Sequence, residues 1–135
     1  MSLNIFNNSY SYSKNIEDYG IIGIMYHRFE ENKYPSTNIR INDFMAHINE
    51  IRNANLEFIS FEEFDTSFGK NNTSRKVLLT VDDAFSSFYK NAWPVLKKEK
   101  IPFIIFINTE TVGARGYMNW EQIKIISKYD FVYIG

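Results

Sequence analysis

Short apolar runs alternate with stretches of helical periodicity along this chain. Ile21-Ile22-Gly23-Ile24-Met25 reads as a short buried strand. Ile41, Phe44, Met45, Ile48 and Ile51 recur at helical spacing and predict an amphipathic helix over 42–54. Glu57-Phe58-Ile59 is a brief strand, and Ser60-Phe61-Glu62-Glu63 has the form of a reciprocal capping box at a helix start. Gly69 to Arg75 is polar and predicts a surface loop. Lys76-Val77-Leu78-Leu79-Thr80-Val81 is nearly all apolar, the mark of a strand buried on both faces in a parallel sheet.

A helical segment over 86–100 follows, with Phe88, Trp93 and Leu96 for its buried face. Pro94 lies inside it and should kink it or restart it as a second helix. Phe103-Ile104-Ile105-Phe106-Ile107 is a second buried strand. Asn119-Trp120-Glu121-Gln122 opens a helix whose Ile123 and Ile126 face inward, with Trp120 assigned to the core. Phe131-Val132-Tyr133-Ile134 is the last strand. Strand, helix, strand, helix, strand is the pattern of right-handed crossovers, so the predicted class is α/β with mostly parallel strands. The final strand lies one residue from the end of the chain, where it would still need a neighbour. The expected domain is therefore cut short, and its open sheet edge predicts a homo-oligomer.

Composition changes this picture only by exclusion. Of 135 residues, 44% are hydrophobic and 17% aromatic, enough to bury a core. A formal charge of −1 leaves no electrostatic footprint for nucleic acid. No apolar run approaches the roughly 18 residues of a membrane span. Without cysteine there is no disulfide framework, no thiolate metal site and no cysteine nucleophile. Met1 to Asp18 is a polar arm with no apolar leader core, so no signal peptide is read there, and the domain is expected over 19–135. Asn7-Asn8-Ser9 and Asn72-Thr73-Ser74 fit the glycosylation pattern and are read as chance.

The chemistry is concentrated in Thr80-Val81-Asp82-Asp83-Ala84. Two carboxylates stand at the C-terminal end of the strongest strand, where parallel α/β folds bind ligands. Adjacent acids repel unless a cation neutralises them or one is protonated. One acid can hold a divalent metal while the other takes a proton from water, although the pair could equally cap the helix that follows. Met25-Tyr26-His27-Arg28 ends the first strand and should open onto the same face. Gly113 and Gly116 flank a flexible loop that matches no phosphate-binding fingerprint.

These residues resemble the polysaccharide deacetylases of carbohydrate esterase family 4, the NodB-homology domain. Ile24-Met25-Tyr26-His27-Arg28 is similar to the family's opening strand motif. Leu79-Thr80-Val81-Asp82-Asp83-Ala84-Phe85 is similar to its first catalytic motif, usually Thr-Phe-Asp-Asp-Gly-Tyr. Ser87 to Lys98, Ile101-Pro102-Phe103 and Tyr117 to Gln122 continue the likeness, which runs from about residue 20 to 135.

The resemblance implies the N-terminal part of a deacetylase-type (β/α) barrel. It implies Asp82 as general base, Asp83 as ligand of a divalent metal such as zinc, and His27 and Arg28 as substrate-binding or supporting residues. The implied substrate is an N-acetylated polysaccharide or glycolipid sugar. The two His ligands that the family carries just after the strand ending here at Ile134-Gly135 have no counterpart in this sequence, nor do its later Arg and His. Weak or absent metal binding and an inactive isolated chain are therefore expected. Two other classes compete. A phosphoacceptor receiver domain would place its acid pair near the N-terminus and needs a later Asp and Lys that do not fit. A non-catalytic carbohydrate-binding or interaction module would use aromatics such as Tyr117 and Trp120, and a metal titration separates it from the enzyme.

Overall fold

A computed structural model describes residues 20–67, 69–70 and 74–135. The N-terminal arm and Asn72 lie outside them. Strand β1 (Ile21–Tyr26) is followed by two short strands, β2 (Arg28–Phe29) and β3 (Asn38–Ile39), which pair with each other in a small parallel ladder. Helix α1 (Ile41–Asn53), strand β4 (Glu57–Phe58) and helix α2 (Phe61–Ser67) lead to strand β5 (Lys76–Val81). A π-helical turn (Phe88–Ala92) runs into helix α3 (Trp93–Glu99). Strand β6 (Phe103–Ile105), helix α4 (Trp120–Ile126) and strand β7 (Val132–Ile134) complete the order. No described helix is long and apolar enough to cross a membrane.

The main sheet is parallel throughout, in the order β1-β5-β6-β7. β5 is its axis. β1 lies along the whole of one side of β5, from Ile21 opposite Lys76 to Tyr26 opposite Val81. The other side is shared: β4 pairs with Lys76 and Val77, and β6 with Thr80 and Val81. The five strands read from the sequence are thus all parallel and in one sheet, with β5 interior. Two of them differ in detail. β1 is an edge strand that pairs, among the described residues, only with β5, so Ile22 and Met25 are exposed despite their apolarity. β6 ends at Ile105, and Phe106 turns outward to 46% exposure.

Alternation along the strands decides which side chains meet. Leu79, Val81, Phe103 and Ile105 face the helices and pack with Phe44, Ile48, Phe88, Trp93, Leu96, Ile123 and Ile126. On the opposite face Leu78 and Ile104 join Ile59, with Phe61 and Phe64 of α2 packed against them. One transverse row on that face, Met25–Thr80–Ile104–Tyr133, is in register across four strands. It is open at both ends, with Met25 60% and Tyr133 37% exposed.

Local signals explain the helix boundaries. Pro94 falls in the first turn of α3, where its missing N–H costs no bond, so the predicted restart is what forms. Lys100 ends that helix in the left-handed conformation. Glu30 caps α1 from eleven residues upstream: Oε1 accepts from Ile41 N at 2.6 Å and Oε2 from Arg40 Nη1 at 3.0 Å. These bonds, the one to Ile41 foremost, hold the Glu30 carboxyl below its ordinary value. The Ser60 box forms by half. Ser60 Oγ accepts from Glu63 N at 3.1 Å, while the Glu63 carboxylate turns to Lys76 Nζ instead of returning to the cap. Asn119 and Gln122 make the full reciprocal box on α4. Asn119→Ala is therefore expected to lower stability by about 1 kcal/mol in thermal or urea unfolding.

Candidate functional site

Parallel register brings the two motifs together. Since Tyr26 stands opposite Val81, the next residues, His27 and Asp82, emerge side by side from the C-terminal end of the sheet. Asp82 N donates to Tyr26 O at 2.8 Å, extending the ladder into the site. His27 Nε2 lies 3.9 Å from Asp82 Oδ2, with side chains 22% and 27% exposed. Asp82 Oδ1 is buried and has no hydrogen-bond partner among the described residues. Burial raises the Asp82 carboxyl above its usual value; nearby His27 opposes this and Asp83 adds to it.

The turn after Asp82 is sterically unusual. Asp83 and Ala84 both have positive φ, 67° and 48°. The left-handed region costs a residue with a Cβ roughly 1–2 kcal/mol, which explains why the resembling motif places Gly at the second of these positions. Ala84 is 2% exposed, so its methyl recovers about 0.8 kcal/mol by burial. Ala also restricts the unfolded chain by about 0.4–1 kcal/mol relative to Gly. These effects nearly cancel. Ala84→Gly is expected to shift the unfolding free energy by less than about 1 kcal/mol.

Arg28 acts as a brace. Its guanidinium sits 3.5 Å from the Phe85 ring centroid and 4.1 Å from that of Tyr34, and Nη1 donates to Glu31 Oε2 at 3.0 Å. Those contacts tie the segment after β1 to the residue that follows the Asp83-Ala84 turn, and none goes to the acid pair. Phe85 in turn lies against Tyr117, ring centroids 4.8 Å apart. Ser86 N donates to Gly116 O and Met118 N to Ala84 O, each at 2.9 Å. The Gly113–Gly116 segment, expected to be a flexible loop, is thus hydrogen-bonded onto the acid turn. Both glycines supply positive φ there.

Sequence reasoning missed a second fastening. Ser87 Oγ accepts from Phe29 N at 3.3 Å, and Asn91 Nδ2 donates to Phe29 O at 3.3 Å and to Ser87 O at 2.9 Å. The helix after the acid motif therefore grips the backbone two residues beyond His27. A polar pair spaced i, i+4 on an otherwise apolar helix face was the available signal. Trp120, assigned to the core, is 58% exposed: it occupies the first turn of α4, and Ile123 and Ile126 take the inward positions.

The donors present do not amount to a zinc site. A catalytic zinc takes three protein ligands. Among the described residues no three His, Cys, Asp or Glu side chains converge. The chain has two histidines. His47 sits on α1, with Nδ1 3.0 Å from the Tyr26 hydroxyl.

Comparison with known proteins bears on the family and the fold. Residues 69–135 match the family model described as polysaccharide deacetylase. A poly-beta-1,6-N-acetyl-D-glucosamine N-deacetylase of Staphylococcus aureus is 33% identical over 82 residues, 60% of this chain and 28% of that protein. The structure of IcaB from Ammonifex degensii superposes with a TM-score of 0.78 at 30% identity, over 86% of this chain and 52% of the other. The Streptococcus pyogenes deacetylase PplD, solved in complex with acetate, gives 0.71 at 22% identity over 84% and 54%, a likeness of fold. The chain thus spans about half the length of its structural neighbours and matches just over a quarter of the Staphylococcus protein. The acid motif, its turn and strands β5, β6 and β7 all lie inside residues 69–135, and this part of the chain belongs to the polysaccharide deacetylase family.

Proposed function

We propose that this chain supplies the general base for hydrolysis of an N-acetyl amide on a polysaccharide or glycolipid sugar, releasing acetate and a free amine. The observation that carries the reading is Asp82: one carboxylate oxygen buried without a partner among the described residues, the other beside His27. A buried, partnerless carboxylate oxygen is a ready proton acceptor, and its raised pKa makes it a stronger base toward an attacking water. His27 would hold the carboxylate in place from its open side. Arg28 would act through its stack on Phe85, keeping the Asp83-Ala84 turn in its left-handed form.

Asp83 is the residue we assign to a divalent metal, zinc by family resemblance. The other donors would have to come from outside the described residues, so no step is routed through the metal. Zinc is expected to bind the isolated chain weakly in calorimetry, far short of a three-ligand site. The isolated chain is likewise expected to release no acetate from N-acetylated oligosaccharides, with or without zinc. Turnover that vanished in Asp82→Asn would overturn that incompetence while supporting the base. The proposed unit runs over 19–135, with the arm before it outside the reaction.

The exposed Trp120 favours one second reading, a carbohydrate-binding module that does no chemistry. Sugar binding that persists in Asp82→Asn and disappears in Trp120→Ala would support it. We also propose self-association across the open row Met25–Thr80–Ile104–Tyr133 and the edge of β7. Light scattering at micromolar concentration tests it, and a stable monomer would remove it.

A further inference from the structure

His27 and Asp82 come from different segments, and the contact between them does not hold itself in place. At 3.9 Å, Nε2 of His27 and Oδ2 of Asp82 are too far apart for a hydrogen bond. Their spacing is therefore set by whatever fixes the two backbones. We propose that Ser87 and Asn91 are positioning residues: by occupying both backbone polar groups of Phe29, they set His27 against Asp82. The inference rests on the general-base reading above and adds how the pair is kept in register.

Strand β2 creates the need. Arg28 N donates to Thr37 O and Glu30 N to Ile39 O, each at 3.0 Å, so those groups belong to the ladder with β3. Phe29 lies between them, and its own N–H and C=O point away from β3. Among the described residues no strand pairs with β2 on that side. Phe29 is also 0% exposed, where solvent does not reach. Buried backbone groups have to find partners inside the protein. The segment after the acid turn supplies both. Ser87 Oγ accepts from Phe29 N at 3.3 Å, and Asn91 Nδ2 donates to Phe29 O at 3.3 Å. The same amide nitrogen donates its other hydrogen to Ser87 O at 2.9 Å, which aims the first at Phe29.

The clamp joins the two pieces of chain that carry the pair. Ser87 follows Asp83 by four residues, and Phe29 follows His27 by two. On the other side of His27, Asp82 N donates to Tyr26 O at 2.8 Å. His27 is thus held between two cross-links to the acid's own segment, one at Tyr26 and one at Phe29. Packing closes the same joint, with the Phe29 and Phe88 ring centroids 6.0 Å apart. Neither Ser87 nor Asn91 hydrogen-bonds to Asp82 or Asp83 among the described residues, so both act through the backbone that bears His27.

Amide and imidazole NMR of the full 135-residue chain tests the proposal. Asn91→Asp keeps the size of the side chain and removes both donors, while Ser87→Ala removes the acceptor. In each, the ring nitrogens of His27 should shift while those of His47, on α1, hold. Exchange of the Asp82 amide proton should quicken by about tenfold or more. Phe103 N–H, bonded to Phe131 O, is the control for a general loss of stability. Ser87→Thr keeps the hydroxyl and should return the parent signals. Unmoved His27 signals, equal acceleration at the two amides, or a Ser87→Thr spectrum like that of Ser87→Ala would overturn the positioning role. Should Asn91→Asp not fold, Ser87→Ala decides by the same readouts. In a protein where this chain is joined to the rest of a deacetylase domain, Ser87→Ala should lower kcat by about tenfold or more and leave KM unchanged. An unchanged kcat there would overturn the role in the reaction. If the NMR outcomes hold and that protein releases no acetate, the positioning stands and the reaction falls.

Discussion

Phe88→Ala is expected to destabilise the fold by about 3–5 kcal/mol, the ordinary cost of removing a fully buried aromatic ring. The Phe88 side chain is 0% exposed, and its ring lies 6.0 Å from Phe29 and 5.5 Å from Phe103. It therefore joins three layers: the segment after β1, the π-turn and β6. Losing it opens a cavity that neighbouring rings cannot collapse to fill, because Phe29 is held by Ser87 and Asn91 through its backbone. Small domains are stable by only about 5–15 kcal/mol, so the variant should lose most of its margin. Urea unfolding checks this through the midpoint. Phe88→Leu should recover a large part of the loss, which separates packing from any effect on expression.

Asp82→Asn should move stability and catalysis in opposite directions. In a protein where this chain is joined to the rest of a deacetylase domain, loss of the general base is expected to slow acetate release by about 10²–10⁴-fold. Stability should rise slightly at neutral pH. Burial raises the Asp82 carboxyl, so between the ordinary carboxylate value and the raised one the folded state binds more protons than the unfolded state. Stability then falls as pH climbs through that window, and above it the buried charge remains a cost. An asparagine side chain carries no such charge at any pH. At acid pH the Asp82 carboxyl is protonated in both states, and its burial costs the parent no charge. The melting temperatures of parent and variant should therefore converge below the window and separate above it. An equal or lower melting temperature for the variant at neutral pH would mean that the carboxylate is better solvated than its buried oxygen suggests.

The sequence disclosed what depends on neighbours in the chain and concealed what depends on neighbours in space. The continuous apolarity of Lys76 to Val81 sufficed to place β5 inside the sheet, and the acid pair at its end marked the site. Two parallel strands in register then require His27 to lie beside Asp82. β1 misled because Ile22 and Met25 are as apolar as buried residues, and only the lack of a second partner strand among the described residues leaves them open. Trp120 misled for a related reason: position in the first turn of α4, set by the Asn119 cap, outweighed its hydrophobicity. The Arg28 brace was invisible because Tyr34 and Phe85 lie far apart in the chain and meet only through the guanidinium. The β2–β3 ladder is two residues long on each strand, too short for any alternation to register.

The π-turn at Phe88–Ala92 bears on how this segment tolerates insertion and deletion. A π-turn holds one residue more than the α-helical path would. Removing any residue between 88 and 92 would leave a regular helix, which by local propensity is the better one. The π-turn spends its extra residue on the same length of path, so the helix beyond it would keep its orientation. Trp93 would stay against Phe103 and Tyr129, and Leu96 in the core. Among working variants of this segment, loss of the exposed Lys90 should therefore be tolerated, whereas a deletion in the regular turns of α3 would rotate its buried face by about 100°.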